Sequence, residues 1–137
     1  HQHSYQELQK SCTCQNILVV EDEKINAMVV SAMLKKLGHT PTIADNGHKA
    51  MEILKEKRFD CILMDIQMPH MDGIETAQAI RKSSCTGYSE IPIVALTAHA
   101  MKGDKERFLK AGMNAHLTKP VELDALRSVL LDDSVTT

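Results

Sequence analysis

The stretch "CILMDIQMPHMDG", residues 61–73, decides the fold class of this chain. Its first four residues are apolar and are followed at once by a carboxylate, Asp65. A short apolar run of this kind, bounded by a loop that contains Pro69, is typical of a strand buried on both faces. The stretch therefore predicts a buried strand that ends at an acidic side chain.

Length and composition limit the class of protein. The chain has 137 residues, of which 43% are apolar and 25% charged, as in a single globular domain. The net charge of −2 gives no basic surface for nucleic acid. No apolar run approaches the roughly 18 residues of a membrane span, so we expect no membrane contact. We expect one domain over 16–131, with a linker at 1–15 and a tail at 132–137.

Short apolar runs alternate along the chain with amphipathic stretches. The predicted strands lie at 17–20, 42–44, 61–64, 91–96 and 115–118, and a helix follows each of them. Strands and helices in alternation favour a doubly wound parallel sheet, so the predicted class is α/β with five strands. The stretch 101–111 is only weakly amphipathic, and we expect the fourth helix to be less firmly packed.

The first helix has more apolar residues than one sheet face can cover. Its core-facing stripe is predicted to consist of Val29, Val30, Met33, Leu34 and Leu37. A second stripe beside it, predicted to stay exposed, consists of Ile25, Met28 and Ala32. We interpret the second stripe as a docking face for a helical partner, although one exposed methionine would need no explanation.

The cysteines at 12, 14, 61 and 85 have no Cys-x-x-Cys spacing. Cys61 lies in a predicted buried strand, so we interpret it as a reduced core thiol of a cytosolic protein. Cys12 and Cys14 follow two histidines in a polar stretch, where a metal-binding tail is the less favoured interpretation.

Polar side chains stand at the strand ends where an open parallel sheet binds its ligands. Glu21 and Asp22 follow the first strand, Asp65 the third, Thr97 the fourth and Lys119 the fifth. Two carboxylates about 4 Å apart repel by about 4 kcal/mol at an effective dielectric of about 20. At least one of these acids should therefore have a raised pKa. Mg²⁺, or Mn²⁺ as an alternative, would relieve the repulsion because it prefers oxygen ligands.

Asp65 is the candidate nucleophile, because a carboxylate can attack phosphorus to form an acyl phosphate. Lys119 would pair with one phosphoryl oxygen and Thr97 would donate a hydrogen bond to another. Single residues also have simpler explanations: Asp22 as a helix N-cap and Asp65 as a turn residue. The whole set, with its members at four separate strand ends, favours phosphoryl transfer.

Four segments resemble the receiver domain of two-component response regulators. They are "ILVVEDEKIN" (17–26), "CILMDIQMPHMDG" (61–73), "IPIVALTAHA" (91–100) and "AHLTKP" (115–120). The likeness covers 16–131. Among receiver domains, these segments are most similar to those fused to hybrid sensor histidine kinases. The resemblance implies a flavodoxin-like sheet in the order 2-1-3-4-5 and a role in a phosphorelay.

By motif position, the resemblance implies roles for the residues at the strand ends. Asp65 matches the phosphoacceptor, Thr97 the switch hydroxyl, and Lys119 the phosphate-binding lysine before a typically cis Pro120. The implied Mg²⁺ ligands are Asp22 directly, Glu21 largely through water, Asp65, and the backbone carbonyl of Gln67.

One position departs from the family pattern. Three residues before Lys119 the family commonly has Tyr or Phe as a rotamer switch, whereas this chain has His116. A histidine could rotate in the same way and add pH sensitivity, or be half-exposed with no switch role. Gln67 and His99 flank the site where the family tunes dephosphorylation, so the phosphoryl lifetime does not carry over.

The resemblance implies a phospho-histidine donor, either a histidine kinase core or a histidine phosphotransfer domain. It implies a cytoplasmic location. The domain could also be the cytosolic part of a larger membrane-bound sensor kinase. The domain would have only self-phosphorylation and dephosphorylation chemistry, whereas a hybrid parent would be a histidine kinase.

Three other interpretations remain. A stand-alone response regulator is the alternative to a hybrid kinase. A haloacid-dehalogenase-type phosphatase is less favoured, because that class has a second acid where this chain has Gln67. A receiver-like binding module that takes no phosphate is disfavoured by the intact Asp65, Thr97 and Lys119.

Overall fold

The computed structural model describes residues 14–68, 71–83, 90–98 and 101–131. Strands and helices alternate along these residues. The strands are β1 (Asn16–Val20), β2 (Thr40–Ala44), β3 (Cys61–Asp65), β4 (Ile93–Thr97) and β5 (Ala115–Thr118). The helices are α1 (Lys24–Lys36), α2 (Gly47–Glu56), α3 (Gly73–Lys82), α4 (Asp104–Lys110) and α5 (Leu123–Leu131).

The five strands form one parallel sheet in the order β2-β1-β3-β4-β5. This confirms the predicted α/β class and the strand order. Val20 of β1 pairs with Met64 of β3, and Asp65 pairs with Leu96 of β4. Since all strands run in one direction, their carboxyl ends meet at one rim of the sheet.

Helices cover both faces of the sheet. α1 and α5 pack on one face, where the core includes Val30, Leu34, Leu126 and Leu130. α2, α3 and α4 pack on the other face, where the core includes Ala50, Leu54, Ala77, Ile80 and Phe108. Within α4, all of which the structure describes, Phe108 alone is buried. This single buried side chain agrees with the expectation that α4 is less firmly packed than the other helices.

The prediction for the start of β4 is wrong by two residues. The strand begins at Ile93, whereas the apolar run begins at Ile91. Pro92 has no N–H to donate to the sheet, although its carbonyl accepts a hydrogen bond from the Ile62 N–H at 2.9 Å. Pro92 therefore accepts a hydrogen bond from β3, although β4 itself begins one residue later. β2 also begins earlier than predicted, at Thr40.

The prediction for one residue of α1 is also wrong. Val29 is 47% exposed, and the residues of α1 that are buried are Ala27, Val30, Ser31 and Leu34. Val29 lies one turn after Ile25, which is 71% exposed, so both belong to the outward face. Met28 and Ala32 are exposed, as predicted. We refer to Ile25, Met28, Val29 and Ala32 as the α1 stripe.

The structure agrees with the interpretation of Cys61. Its thiol is free and fully buried in β3, and burial raises its pKa to about 12. Cys14 is free and exposed. Cys12 and Cys85 lie outside the described residues, and so does the candidate metal-binding tail. Among the helices of the described ranges, the longest has 13 residues, and none could cross a membrane.

Helix α3 begins directly against the backbone of the strand that carries Asp65. A Cβ atom at Gly73 would overlap the carbonyl oxygen of Asp65 and lie 2.9 Å from Ile66 Cα. The Gly73 N–H donates to the Ile66 carbonyl at 3.0 Å. Asp72 caps the helix by accepting from the Glu75 N–H at 2.8 Å. Glycine at this position therefore lets the capped helix hold the end of β3 in place.

We predict that Gly73→Ala lowers the free energy of unfolding by about 1–3 kcal/mol, because the added methyl group must displace backbone. Alanine in place of glycine ordinarily stabilises a helix. A net loss of stability would therefore indicate the close contact between Gly73 and the end of β3. Urea denaturation measures it. Gln78→Ala, at an exposed position of the same helix, is the control and should change stability little. Equal stability of Gly73→Ala and the native chain would contradict the close contact.

Candidate phosphoryl-acceptor site

The polar residues predicted at the strand ends lie together at the carboxyl rim of the sheet. Glu21 follows β1, Asp65 ends β3, Thr97 ends β4 and Lys119 follows β5. We refer to these four residues and Asp22 as the rim site. The strand order makes them neighbours, because β1, β3, β4 and β5 are consecutive in the sheet.

Three carboxylates meet in the rim site. Glu21, Asp22 and Asp65 each offer an oxygen atom, and these oxygens lie within 4.8 Å of one another. Glu21 is 2% exposed and Asp65 is 3% exposed, whereas Asp22 is open to solvent. Two of the three negative charges therefore lie where water screens them least.

Lys119 places its ammonium group between the two buried carboxylates. Its Nζ lies 3.0 Å from Asp65 Oδ1 and 3.1 Å from Glu21 Oε1. The Lys119 N–H also donates to the Thr97 carbonyl at 2.7 Å, one residue beyond the end of β5. The peptide bond to Pro120 is cis, as the resemblance implied. The sequence predicted the lysine at this rim but not its pairing with Glu21.

The simpler explanations for single residues can be compared with the structure. The N-cap of α1 is Glu23, which makes no side-chain capping bond, so Asp22 is not a cap. Asp65 does take part in a turn, since its Oδ1 accepts the Gln67 N–H at 3.2 Å. That bond orients the carboxylate and does not remove it from the rim.

The electrostatics of the rim site raise the pKa of Glu21 to about 7. Burial is the largest cause, the neighbouring Asp65 adds to it, and Lys119 opposes both. The predicted raised pKa is therefore confirmed, although burial contributes more than the like charge. Burial alone would lower the pKa of Lys119, but its hydrogen bonds to Asp65 and Glu21 outweigh burial and raise it.

The donor set suits a hard divalent cation. All three clustered side chains offer carboxylate oxygens, which Mg²⁺ prefers, and the solvent-exposed Asp22 leaves room for bound water. The ammonium group of Lys119 does not reverse the rise in the pKa of Glu21 that burial and Asp65 cause. Gln67 is exposed two residues after Asp65, and the role of its carbonyl as a ligand stays a prediction.

Thr97 and His116 lie on the side of the sheet that α4 covers. Thr97 is buried, and Ala95, which points to the same face, belongs to the core beneath α2, α3 and α4. His116 is half-buried, and its ring centroid lies 5.9 Å from that of Phe108, with the rings tilted by 53°. The switch roles of both residues stay predictions. His99 lies outside the described residues.

A cavity beside the rim site was not predicted from the sequence. It is lined by Glu21 and Lys119 together with apolar residues of α1 and of the β5–α5 connection, among them Val29 and Val121. The two charged residues that line it were predicted at the rim from the sequence, whereas Val29 was predicted to face the core. The apolar residues of the β5–α5 connection gave no sequence signal, because their side chains form a cavity wall only after β5 is placed next to β4.

Residues 17–131 match the family described as the response regulator receiver domain. The chain therefore belongs to the response regulator receiver domains, the phosphoacceptor domains of two-component phosphorelays. It is 43% identical over 121 residues to hybrid signal transduction histidine kinase I of Dictyostelium discoideum. That match covers 85% of this chain but only 7% of the relative, so the chain corresponds to a small part of it.

Two solved structures resemble both the fold and the sequence. The receiver domain of sensor histidine kinase PA1611 from Pseudomonas aeruginosa PAO1, solved with magnesium coordinated in its active site cleft, has a TM-score of 0.79 at 38% identity. The match covers 91% of this chain and all of that one. The second is the co-crystal structure of the Saccharomyces cerevisiae histidine phosphotransfer protein Ypd1 and the receiver domain of Ssk1. A chain in that structure has a TM-score of 0.74 at 38% identity, and the match covers 83% of this chain and 84% of that one.

The raised pKa of Glu21 gives a pH dependence of stability. Its pKa is about 7 in the folded state against an ordinary 4.5, so its contribution is complete below 4.5 and is lost as the pH rises through about 7. We predict that Glu21→Gln is more stable than the native chain at about pH 8 in magnesium-free buffer, by on the order of 2 kcal/mol. Urea denaturation at about pH 5 should show a much smaller difference.

Glu52→Gln is the matched control, since Glu52 is an exposed acid on α2. Its stability should follow the native chain at every pH. If the Glu21→Gln and native stabilities change in parallel from acid to alkaline pH, Glu21 is not held in the environment described above.

Proposed function

We propose that this receiver domain accepts a phosphoryl group from a phospho-histidine onto one carboxylate oxygen of Asp65. The observation that supports it best is the position of Lys119, whose Nζ is 3.0 Å from Asp65 Oδ1 within a cluster of three carboxylates. A cation at this distance can pair with an oxygen of an incoming phosphoryl group.

The transfer balances as a single displacement at phosphorus. The nitrogen–phosphorus bond of the phospho-histidine breaks as an oxygen–phosphorus bond to Asp65 forms. The bonding electron pair stays on the imidazole nitrogen, and the ring leaves as neutral imidazole if its other nitrogen already carries a proton. The Gln67 N–H, which donates to Asp65 Oδ1 at 3.2 Å, keeps the carboxylate oriented during the attack.

We propose Glu21, Asp22 and Asp65 as the residues that hold Mg²⁺, with the Gln67 carbonyl as a further ligand. Their oxygens lie within 4.8 Å of one another. The bound ion supplies positive charge for the phosphoryl oxygens. Mn²⁺ would suit the same oxygen ligands. Lys119 contacts Glu21 and Asp65 in the same cluster, so the side chains that hold the cation also position the ammonium group.

Thr97 and His116 are the residues we propose to respond to the acyl phosphate. Thr97 ends the strand next to Asp65, where its hydroxyl could donate to a phosphoryl oxygen. A movement of Thr97 would alter the space beside His116, which packs against Phe108 of α4. Because Phe108 is the single buried residue of α4, this helix should shift at low cost.

The donor we propose is a histidine kinase core or a histidine phosphotransfer domain. The resemblance to a hybrid histidine kinase and to a receiver crystallised with a phosphotransfer protein supports it. We propose a hybrid sensor kinase as the parent protein, with a stand-alone regulator as the alternative, and a cytoplasmic location, which the reduced Cys61 fits. The exposed α1 stripe borders the rim site and would form part of the docking face.

The acceptor assignment is tested with acetyl phosphate and Mg²⁺, followed by intact-mass measurement. We predict that the native chain gains the mass of one phosphoryl group and that Asp65→Asn gains none, because the amide is not a nucleophile toward phosphorus. Asp45→Asn is the matched control: Asp45 also follows a strand, but it is exposed and pairs with Lys49 at 3.2 Å. It should be labelled like the native chain.

Equal labelling of Asp65→Asn and the native chain would contradict the assignment. Continuous hydrolysis of varied phosphate esters would instead point to a phosphatase. The exposed amide of Gln67, where that class has an acid, argues against this outcome.

The docking role of the α1 stripe gives a separate prediction. Met28 is 62% exposed, and Met28→Glu would place a charge in the centre of the proposed contact. We predict that it weakens binding of the phosphotransfer protein Ypd1, used as the probe, by about tenfold. Calorimetric titration measures the affinity. Leu109→Glu, on α4, is the control, and equal weakening by both substitutions would remove the docking role.

A further inference from the structure

The chain enters the sheet at the end opposite the rim site, through the two residues that precede β1. The carbonyl of Gln15 accepts the Thr40 N–H at 2.9 Å, so the pairing of β1 with β2 continues one residue before Asn16. The Gln15 N–H donates to His39 Nδ1 at 3.1 Å. Cys14 is exposed, and its Sγ lies 3.4 Å from Thr40 Oγ1. A histidine side chain therefore fixes the backbone at the point where the chain enters the domain.

His39 Nδ1 accepts this hydrogen bond only while the imidazole is neutral. The bond requires a lone pair on Nδ1, so the single ring proton is on Nε2. A protonated imidazole has an N–H group at both nitrogens, and Nδ1 would then direct a second donor at the Gln15 N–H. Protonation of His39 therefore removes the acceptor and places a positive charge against the donor.

Burial favours the neutral form of His39. The ring is half-buried just after α1, and the His39 N–H donates to the Leu34 carbonyl at 2.8 Å. Burial lowers the pKa of the imidazole from the ordinary 6.5, and Asp60, in the connection from α2 to β3, opposes that change. Lys35 and Lys36, in the last turn of α1, are exposed to solvent.

We propose that His39 is a pH-sensitive latch, which holds residues 14 and 15 against the start of β2 while the imidazole is neutral and releases them when it is protonated. The hydrogen bond from the Gln15 N–H makes the held form incompatible with a protonated ring. The contribution of the latch to stability is fully present above pH 6.5 and is lost as the pH falls through the lowered pKa of His39.

Release of the latch costs little and stops at the next residue. Gln15 Oε1 is buried and has no hydrogen-bond partner among the described residues, so release lets water reach it. Asn16 is held separately, because its N–H donates to Asp60 Oδ2 at 2.8 Å and its carbonyl accepts the Asp60 N–H at 2.7 Å. The latch therefore changes by two residues the length of free chain that joins the domain to the segment before residue 14.

Hydrogen exchange at the Gln15 amide tests the latch in the native chain. After correction for the intrinsic effect of pH on exchange, we expect its protection to fall by about threefold or more between about pH 7.5 and about pH 5. The Asn16 amide is the internal control and should keep its protection. Equal protection of Gln15 at both pH values would overturn the proposal. Parallel loss of protection at Asn16 would assign the change to the whole end of the sheet and overturn it too.

His39→Asn separates the role of the ring as an acceptor from its titration. The asparagine Oδ1 takes the place of Nδ1 and does not titrate, so we expect Gln15 to stay protected at both pH values. His48→Asn, at an exposed position of α2, is the matched control and should keep the native pH dependence. If His39→Asn keeps the native pH dependence, another group titrates and the proposal is wrong.

A measurement on the native ring covers the case in which the shorter asparagine does not reach the Gln15 N–H. Nitrogen-15 shifts of an imidazole distinguish its two neutral tautomers and report its protonation. We expect His39 to have its proton on Nε2 at neutral pH, and to titrate at the pH where Gln15 loses protection. A proton on Nδ1 in the neutral ring, or titration of His39 at a pH that differs from the loss of protection, would overturn the proposal.

Discussion

The ammonium group of Lys119 lies between two buried carboxylates, and the chemistry of the rim depends on that arrangement. Its Nζ is 3.1 Å from Glu21 and 3.0 Å from Asp65. Burial and, to a smaller extent, the neighbouring Asp65 raise the pKa of Glu21, and the single ammonium group of Lys119 opposes that rise without reversing it. The hydrogen bond from the Lys119 N–H to the Thr97 carbonyl extends the β4–β5 pairing by one residue and so places the lysine. Backbone pairing therefore positions the charge.

Strand order explains why some strand-end acids meet and another does not. β1 and β3 are neighbours in the sheet, so Glu21 and Asp65 come together, although 44 positions separate them in the sequence. Asp45 follows β2, the edge strand, where it stays exposed and pairs with Lys49. The same residue type at the same kind of position thus has a buried, charge-crowded environment in one case and an ordinary surface environment in the other.

Most of the fold and the members of the rim site could be predicted from the sequence, because buried strands read as apolar runs and their ends are marked by polar residues. The start of β4 was missed because apolar character continues through Pro92, which cannot donate to the sheet. Val29 was assigned to the core because an apolar residue on the flank of a helix has the same sequence signal whether or not a neighbour covers it. The Glu21–Lys119 pair, the contact of Gly73 with Asp65 and the cavity depend on distances between elements, which no local pattern encodes.

Asp65 lies on one face of the sheet, and the proposed switch residues lie on the other. Cys61 and Leu63 of β3 belong to the core beneath α1 and α5, and alternation places Asp65 on that same side, together with Glu21 and the cavity. Thr97 and His116 lie on the opposite side, against α4. The proposed docking face and the proposed switch residues therefore lie on opposite faces of a single sheet. A donor bound over α1, as we propose, would leave α4 uncovered on the other face of the sheet.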